Sequence, residues 1–341
     1  MKEKTTALSP AKRLDRLENR PRNVMLVVFA LALILPHISG SYTVFLLTKV
    51  LLFAISSMAY ILLAGYGGMV SFAHISFYGL SAYTLAIGTV VMRQGYWQMA
   101  ALGILLSVGV SLIYAFVSIR ATGRYFFQIS IAFVQLIYLT AIQWADLTRG
   151  TKGVSGIPVP EIFGLKLQGR TTVFYFMLVL AVLCYLAFRR ITFSPFGIAL
   201  KGSRDNPAKL ASMGFNVGLQ RFVAIVVACA FAALAGVAGM VFYRVVAPEN
   251  VGSVSAIIIV FISLIGCTKK LEGAFIGSLI YVFLQDFISS VTNRYNMVLG
   301  AFFIIVVMFF PQGFLGLDYK KLWKNLRARF TKKQPIVSEK P

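Results

Sequence analysis

Charge is scarce in this chain, and negative charge scarcest. Of 341 residues only 11 are Asp or Glu, against 33 Lys or Arg, and charged residues make up 13% of the whole. Soluble domains carry roughly 25% charged residues, so the polar surface of a water-soluble body is missing. Histidine is limited to two residues and cysteine to three, Cys184, Cys229 and Cys267. The cysteines show no metal-ligand or paired spacing and sit in or beside apolar runs, where they read as small apolar residues. No His-rich or carboxylate-rich cluster suited to a metal is present. The phosphate-cradling G-x-x-x-x-G-K-(S/T) loop is also missing, so no ATP hydrolysis is expected from the chain itself. No nucleophile and base stand out as a pair. No catalytic residue is nominated, and no cofactor is expected in this chain.

What fills the space is apolar: 58% of residues are hydrophobic. A bilayer core of ~30 Å takes about 20 helical residues, and the sequence divides into ten apolar runs, 24–38, 43–64, 69–92, 96–119, 125–144, 172–188, 222–243, 254–268, 273–291 and 296–310. The first and eighth are short. The expected fold class is an all-α integral membrane protein of about ten spans, with one permeating domain at 24–312 between basic tails at 1–23 and 313–341. A short interfacial helix is expected from Ser9.

The net charge of +22 could attract nucleic acid, but its distribution argues otherwise. Basic residues gather in the tails, at Arg120 and Arg124, throughout 189–221, and at Lys269 and Lys270. With ten spans all of these fall on one side, the cytoplasmic side by the positive-inside rule. Both termini are then cytoplasmic, and anionic lipid headgroups are the natural counter-charge. The segment at 149–170 runs against this pattern, because Arg149, Lys152, Lys166 and Arg170 fall on the outer side.

The loop 189–221 is the longest basic interruption. Arg189, Arg190, Lys201, Arg204, Lys209 and Arg221 stand there against one acid, Asp205. Asn206 is a helix cap, Pro207 suits the first turn and Gly214 suits the stop. The intervening turns place Leu210 and Met213 three apart on one face. Such a helix either docks its apolar ridge into a partner's groove or lies on lipid headgroups.

The third run opens GYGGMVSFAHISFYG and is crowded with small and hydroxyl residues. Non-helical backbone at membrane depth survives only where protein or water covers it, and small residues let helices approach closely. A broken or tightly packed span is expected. Gly67, Gly68, Ser71, His74 and Ser76, with Gln135 in the fifth run, are candidates for lining a translocation pathway. Helix packing alone is the competing explanation, and for His74 a hydrogen bond within the bundle. Gln128 and Gln135, seven apart, are expected to face protein. Asp286 is expected to make an interfacial or packing contact.

Several of these stretches resemble one family. Ser194, Phe196, Gly197, Ala199, Leu200, Lys201, Arg204, Asp205, Asn206, Met213, Gly214, Phe215 and Asn216 match the cytoplasmic coupling loop of ABC importer permeases of the branched-chain amino acid type, M-like branch. Gly65, Tyr66, Gly68, Ser71, His74, Phe77, Gly79, Ala82 and Tyr83 match a second phrase of that family, with Met69 and Ala73 in place of its usual Gln and Gly. The outer segment TRGTKGVSGIP resembles a third. Around Gly266, Leu271, Gly273 and Gly277 the chain resembles a fourth, although Lys269, Lys270 and Glu272 depart from it.

The resemblance covers roughly 42–311. It implies half of a transmembrane pathway shared with a homologous permease, driven by two cytoplasmic ATPase subunits that use the ATP, in a prokaryotic plasma membrane. Arg204, Asp205, Asn206, Pro207, Leu210, Met213 and Gly214 would couple to the ATPase. An extracytoplasmic substrate-binding protein would meet Gly150, Gly153, Ser155 and Gly156. Leucine, isoleucine and valine are the implied substrates; urea or short amides, nucleosides and sugars stay open. An ion-coupled secondary transporter is the main rival, disfavoured because few ionisable residues fall at mid-span.

Overall fold

The computed structural model describes residues 25, 28–29, 31–121, 123–162, 164–309 and 313–316. The amino-terminal tail, the helix expected from Ser9, part of the first apolar run and nearly all of the carboxy-terminal tail lie outside the described residues.

The first long helices are α1 (Ser41–Ile61), α2 (His74–Ala86), α3 (Tyr96–Ser118), α4 (Arg124–Gln143) and α5 (Arg170–Phe193). Two short helices follow, α6 (Pro195–Asp205) and α7 (Pro207–Ser212). Then come α8 (Val217–Tyr243), α9 (Ser253–Gly266), α10 (Gly273–Val291) and α11 (Tyr295–Phe309). Among the described residues, eight helical segments are long and apolar enough to cross a membrane. Ten spans were expected. The eighth run forms α9, whose 14 residues reach only about 21 Å at 1.5 Å per residue, short of a ~30 Å hydrocarbon core. The first run is described only in part.

α1 is the central helix, packed by α5, α8, α9 and α10. Of its most apolar stretch 83% is buried within the chain, against 22% for α4 at the periphery. Polar atoms on α1 are paired rather than bare: Ser57 and Ser263 share a hydrogen bond of 2.7 Å between α1 and α9. Near the outer ends, Lys49 donates to Gln285 at 3.0 Å and the Tyr42 hydroxyl donates to the Asp286 carboxylate. Asp286 thus makes the helix-packing contact expected of it.

α2 is held between α3 and α8, and the reason is residue size. α8 buries Ala232, Ala233, Ala235, Gly236, Ala238 and Gly239. A Cβ at Gly236 would fall 2.1 Å from the Tyr78 carbonyl oxygen, so no larger residue fits. The Ser81 hydroxyl donates to the Ala233 carbonyl at 2.7 Å across the same contact. In lipid there is little hydrophobic drive between helices, so close backbone approach and interhelical hydrogen bonds carry the association.

The helix ends sort into two layers. In one layer, Val154–Ser155 pairs antiparallel with Val245–Val246, Glu161–Ile162 pairs with Leu165–Lys166, and the Trp97 indole donates to the Glu161 carbonyl at 2.6 Å; this is the layer expected to face outward. In the opposite layer α6, the end of α1 and the α9–α10 turn converge.

Candidate functional site

The site is built where the basic loop meets the glycine-rich stretch. Each helix in the loop starts on a side-chain cap. The Ser194 hydroxyl accepts from the Gly197 amide at 3.4 Å, Asn206 Oδ1 from the Lys209 amide at 2.9 Å, and Asn216 Oδ1 from the Leu219 amide at 3.0 Å. Pro195 and Pro207 follow the first two caps, where a missing amide costs nothing. α7 stops at Gly214, whose φ of +87° favours glycine. The Phe215 amide donates to the Leu210 carbonyl at 3.4 Å and the Gly214 amide to Ala211 at 3.0 Å, the bond pattern of a Schellman stop.

Above this loop α1 loosens. Its last residues, Leu62–Tyr66, form a π-turn, and 67–73 is not helical. The span expected to start at Met69 is therefore helical only from His74. π-turns often mark functional positions. Gly68 sits at φ +66°, and a Cβ on it would lie 2.4 Å from Arg204 Cγ. Arg204 Nη1 donates to the Gly65 carbonyl. The same guanidinium is steadied by Asp205, with Nη2 and Nε both 2.8 Å from Oδ1. Lys201 Nζ lies 4.7 Å from the centre of the Tyr66 ring. A Cβ on Gly67 would lie 3.4 Å from Leu200 Cδ1, and Leu200 is fully buried. Two cations thus gather at the carbonyl end of α1, where the helix dipole is negative.

The expected docking ridge is corrected. Leu210 is only 8% exposed, because it turns inward and packs over Gly202, whereas Met213 is 66% exposed. Leu210 therefore braces α7 against α6. At the end of α7 the exposed apolar side chains are Met213 and Phe215, the latter 44% exposed.

The pathway candidates divide. Ser71, His74 and Ser76 are enclosed within the chain. The Ser71 hydroxyl accepts from the Ala73 amide at 3.2 Å and lies 3.3 Å from the Tyr114 hydroxyl. His74 Nδ1 lies 3.1 Å from the Ser71 carbonyl oxygen, so the geometry has Nδ1 carrying the proton and donating. Its ring stands 5.4 Å from that of Tyr60. Ser71 and His74 thus bond within the chain, whereas His74 Nε2 and Ser76 Oγ are buried without a hydrogen-bond partner among the described residues. Gln135 is not with them: it lies exposed on α4, as does Gln128, so neither faces protein within this chain. On the outer side Gly150 and Gly153 are buried, while Ser155 and Gly156 are exposed. A Cβ on Gly153 would lie 2.2 Å from the Val246 carbonyl oxygen, which makes that glycine part of the strand pairing.

One contact escaped the sequence. Glu272 reaches across to α5, 3.8 Å from Arg189 Nη1 and 2.9 Å from the Tyr185 hydroxyl, which donates to it. Its rarity as an acid among basic neighbours was the available signal.

Comparison with known proteins bears on the sequence that builds this site. The family profile described as "Branched-chain amino acid transport system / permease component" matches residues 42–308. The high-affinity branched-chain amino acid transport system permease protein LivM of Salmonella typhimurium is 20% identical over 321 residues, covering 87% of this chain and 76% of that protein. LivM of Escherichia coli K12 gives the same figures. The LivH permease of Escherichia coli K12 is 25% identical over 286 residues, covering 77% of this chain and 91% of that protein. No solved structure matches. The profile spans α1 through most of α11, including the broken span and the capped loop packed on it, and the chain belongs to the branched-chain amino acid transport system permease family.

Proposed function

We propose that this chain is a permease subunit of an ABC importer for leucine, isoleucine and valine in a prokaryotic plasma membrane. It forms half of the pathway beside a homologous permease. Two cytoplasmic ATPases act on the α6–α7 segment, and an extracytoplasmic binding protein delivers substrate to the outer layer at Ser155 and Gly156. Ten spans with cytoplasmic termini complete this topology, α9 and the first run supplying the two beyond the eight of membrane length.

The observation that carries this reading is the seating of α6 on the end of α1. A push on α7 passes through Leu210 to α6, and through Arg204 to Gly65 and the non-helical stretch at 67–73. Such a push changes access only if it favours one of two arrangements of the spans. The exposed Gln128 and Gln135, seven apart on one face of α4, support a second permease on that face, since polar side chains at membrane depth face protein or water rather than lipid.

The test is uptake of labelled leucine, isoleucine and valine in cells that lack their own importers. The chain is expressed with its genomic neighbours, and each neighbour is deleted in turn. Uptake that requires this chain, an ATPase and a binding protein supports the proposal. Uptake that survives loss of every ATPase overturns it in favour of an ion-coupled transporter.

A further inference from the structure

A cavity of about 1220 Å³ opens between α1, α5, α10 and the residues preceding α1. Its length is lined by apolar side chains, among them Phe29, Leu35, Leu51, Leu178 and Leu279. Its composition changes at one end. There Arg189, Lys201, Lys269 and Lys270 face the same space, with Glu272 as the acid among them. This is the layer that holds the end of α1 and the α6–α7 loop.

The basic end is held in place. Arg189 pairs with Glu272 at 3.8 Å and lies 4.9 Å from the Phe193 ring centre. Lys201 sits over Tyr66 at 4.7 Å, and Lys270 donates to the Leu315 carbonyl at 3.0 Å. Lys269 is exposed at the mouth. Among the described lining residues, four cations and one carboxylate gather at the opening of an apolar cleft.

A free amino acid does not suit such a cleft. The volume exceeds the ~300–1,000 Å³ of ordinary small-molecule pockets, and the long wall offers little to hydrogen-bond a carboxylate or an ammonium. Nor do Ser71, His74 or Ser76 line it. The match is to an amphiphile with an anionic head and long apolar chains, and the cytoplasmic leaflet supplies such lipids.

We propose that this cleft binds an anionic glycerophospholipid. Its phosphate lies among Lys201, Lys269 and Lys270, and its acyl chains lie along α1, α5 and α10. A lipid seated there bridges the α9–α10 turn to α6, and so loads the same end of α1 that Arg204 holds. The inference goes beyond the transport reading and does not need transport to be measured.

The full-length chain is purified in mild detergent with the subunits that accompany it. It is then exchanged into nanodiscs or micelles containing phosphatidylglycerol or phosphatidylcholine, and retained lipid is measured by native mass spectrometry. Wild type is expected to retain phosphatidylglycerol in preference to phosphatidylcholine. The Lys269→Gln, Lys270→Gln double variant is expected to weaken retention about 25-fold, from roughly fivefold per lysine near a headgroup. Leu279→Trp, which narrows the cleft without touching a charge, is expected to displace the lipid too. It covers the case in which the double variant does not fold. Lys152→Gln, in the outer layer, leaves retention unchanged. Equal retention of both lipids overturns the proposal, as does full retention by the double variant or by Leu279→Trp. Displacement by glycerol phosphate alone shows a soluble-anion site, and displacement by leucine shows a substrate site; either result also overturns it.

Discussion

Arg204 Nη1 donates to the carbonyl of Gly65, joining positions 139 apart in the chain. One is in the basic loop, the other in the last, π-wound turn of the central helix. The bond places a fixed cation where the dipole of α1 is negative and where its carbonyls lack partners in a following turn. It ties the loop directly to the interior of the bundle.

Arg204→Gln should therefore insert normally yet lower uptake by about tenfold or more, since an unmet buried acceptor costs roughly 1–3 kcal/mol. Gly68→Leu should be worse, because it needs both a strained φ of +66° and space that Arg204 Cγ occupies. Initial uptake rates, normalised to the amount of chain in the membrane, provide the measurement. Wild-type rates in both variants would show that this contact carries no motion.

The inward turn of Leu210 separates two effects that a single ridge would have mixed. Leu210→Ala should loosen α7 from α6, costing about 2 kcal/mol or somewhat less given how small the helix is. Met213→Arg changes an exposed side chain and should leave the melting temperature of the purified chain unaltered. It should nonetheless reduce recovery of the ATPase by co-purification, because a charge enters an apolar contact without a partner. An ATPase recovered equally with Met213→Arg and wild type would move the contact elsewhere on the loop.

Arg189 and Glu272 form a shielded pair, with side chains only 10% and 21% exposed. Removing either partner takes a neighbouring opposite charge from the other, a loss of up to about 3–5 kcal/mol for well-buried pairs and less at this partial exposure. Arg189→Met and Glu272→Gln should each lower thermal stability in detergent. The double variant should recover part of the loss. Strict additivity of the two single losses would mean that the 3.8 Å contact contributes nothing.

Sidedness can be read chemically. The native cysteines Cys184, Cys229 and Cys267 are free and buried, so replacing them by Ala or Ser leaves a clean background. A cysteine at exposed Lys152 should then react with an impermeant thiol reagent applied to intact cells. One at exposed Lys209 should react only after the membrane is opened. The opposite pattern would invert the topology and place the α6–α7 segment outside.

The sequence by itself determined the class of protein, most span positions and the punctuation of the basic loop at 189–221. Those are local matters. Runs of apolar residues report their own length. Asn206, Pro207 and Gly214 act on the backbone within a turn of where they stand, and the structure shows the cap and the stop at those residues. Tertiary structure alone decided which side chains are used internally. Leu210 and Met213 look alike in sequence, but only Leu210 finds Gly202 across the α6–α7 corner. Gly150 and Ser155 belong to one turn-rich phrase, yet one is buried and the other faces outward. Glu272 became a partner of Arg189 only when α5 and α10 were brought side by side. Burial and pairing depend on neighbours brought in around a corner, as Gly202 is to Leu210, or from far along the chain, as Glu272 is to Arg189, and a pattern of short period carries no record of them.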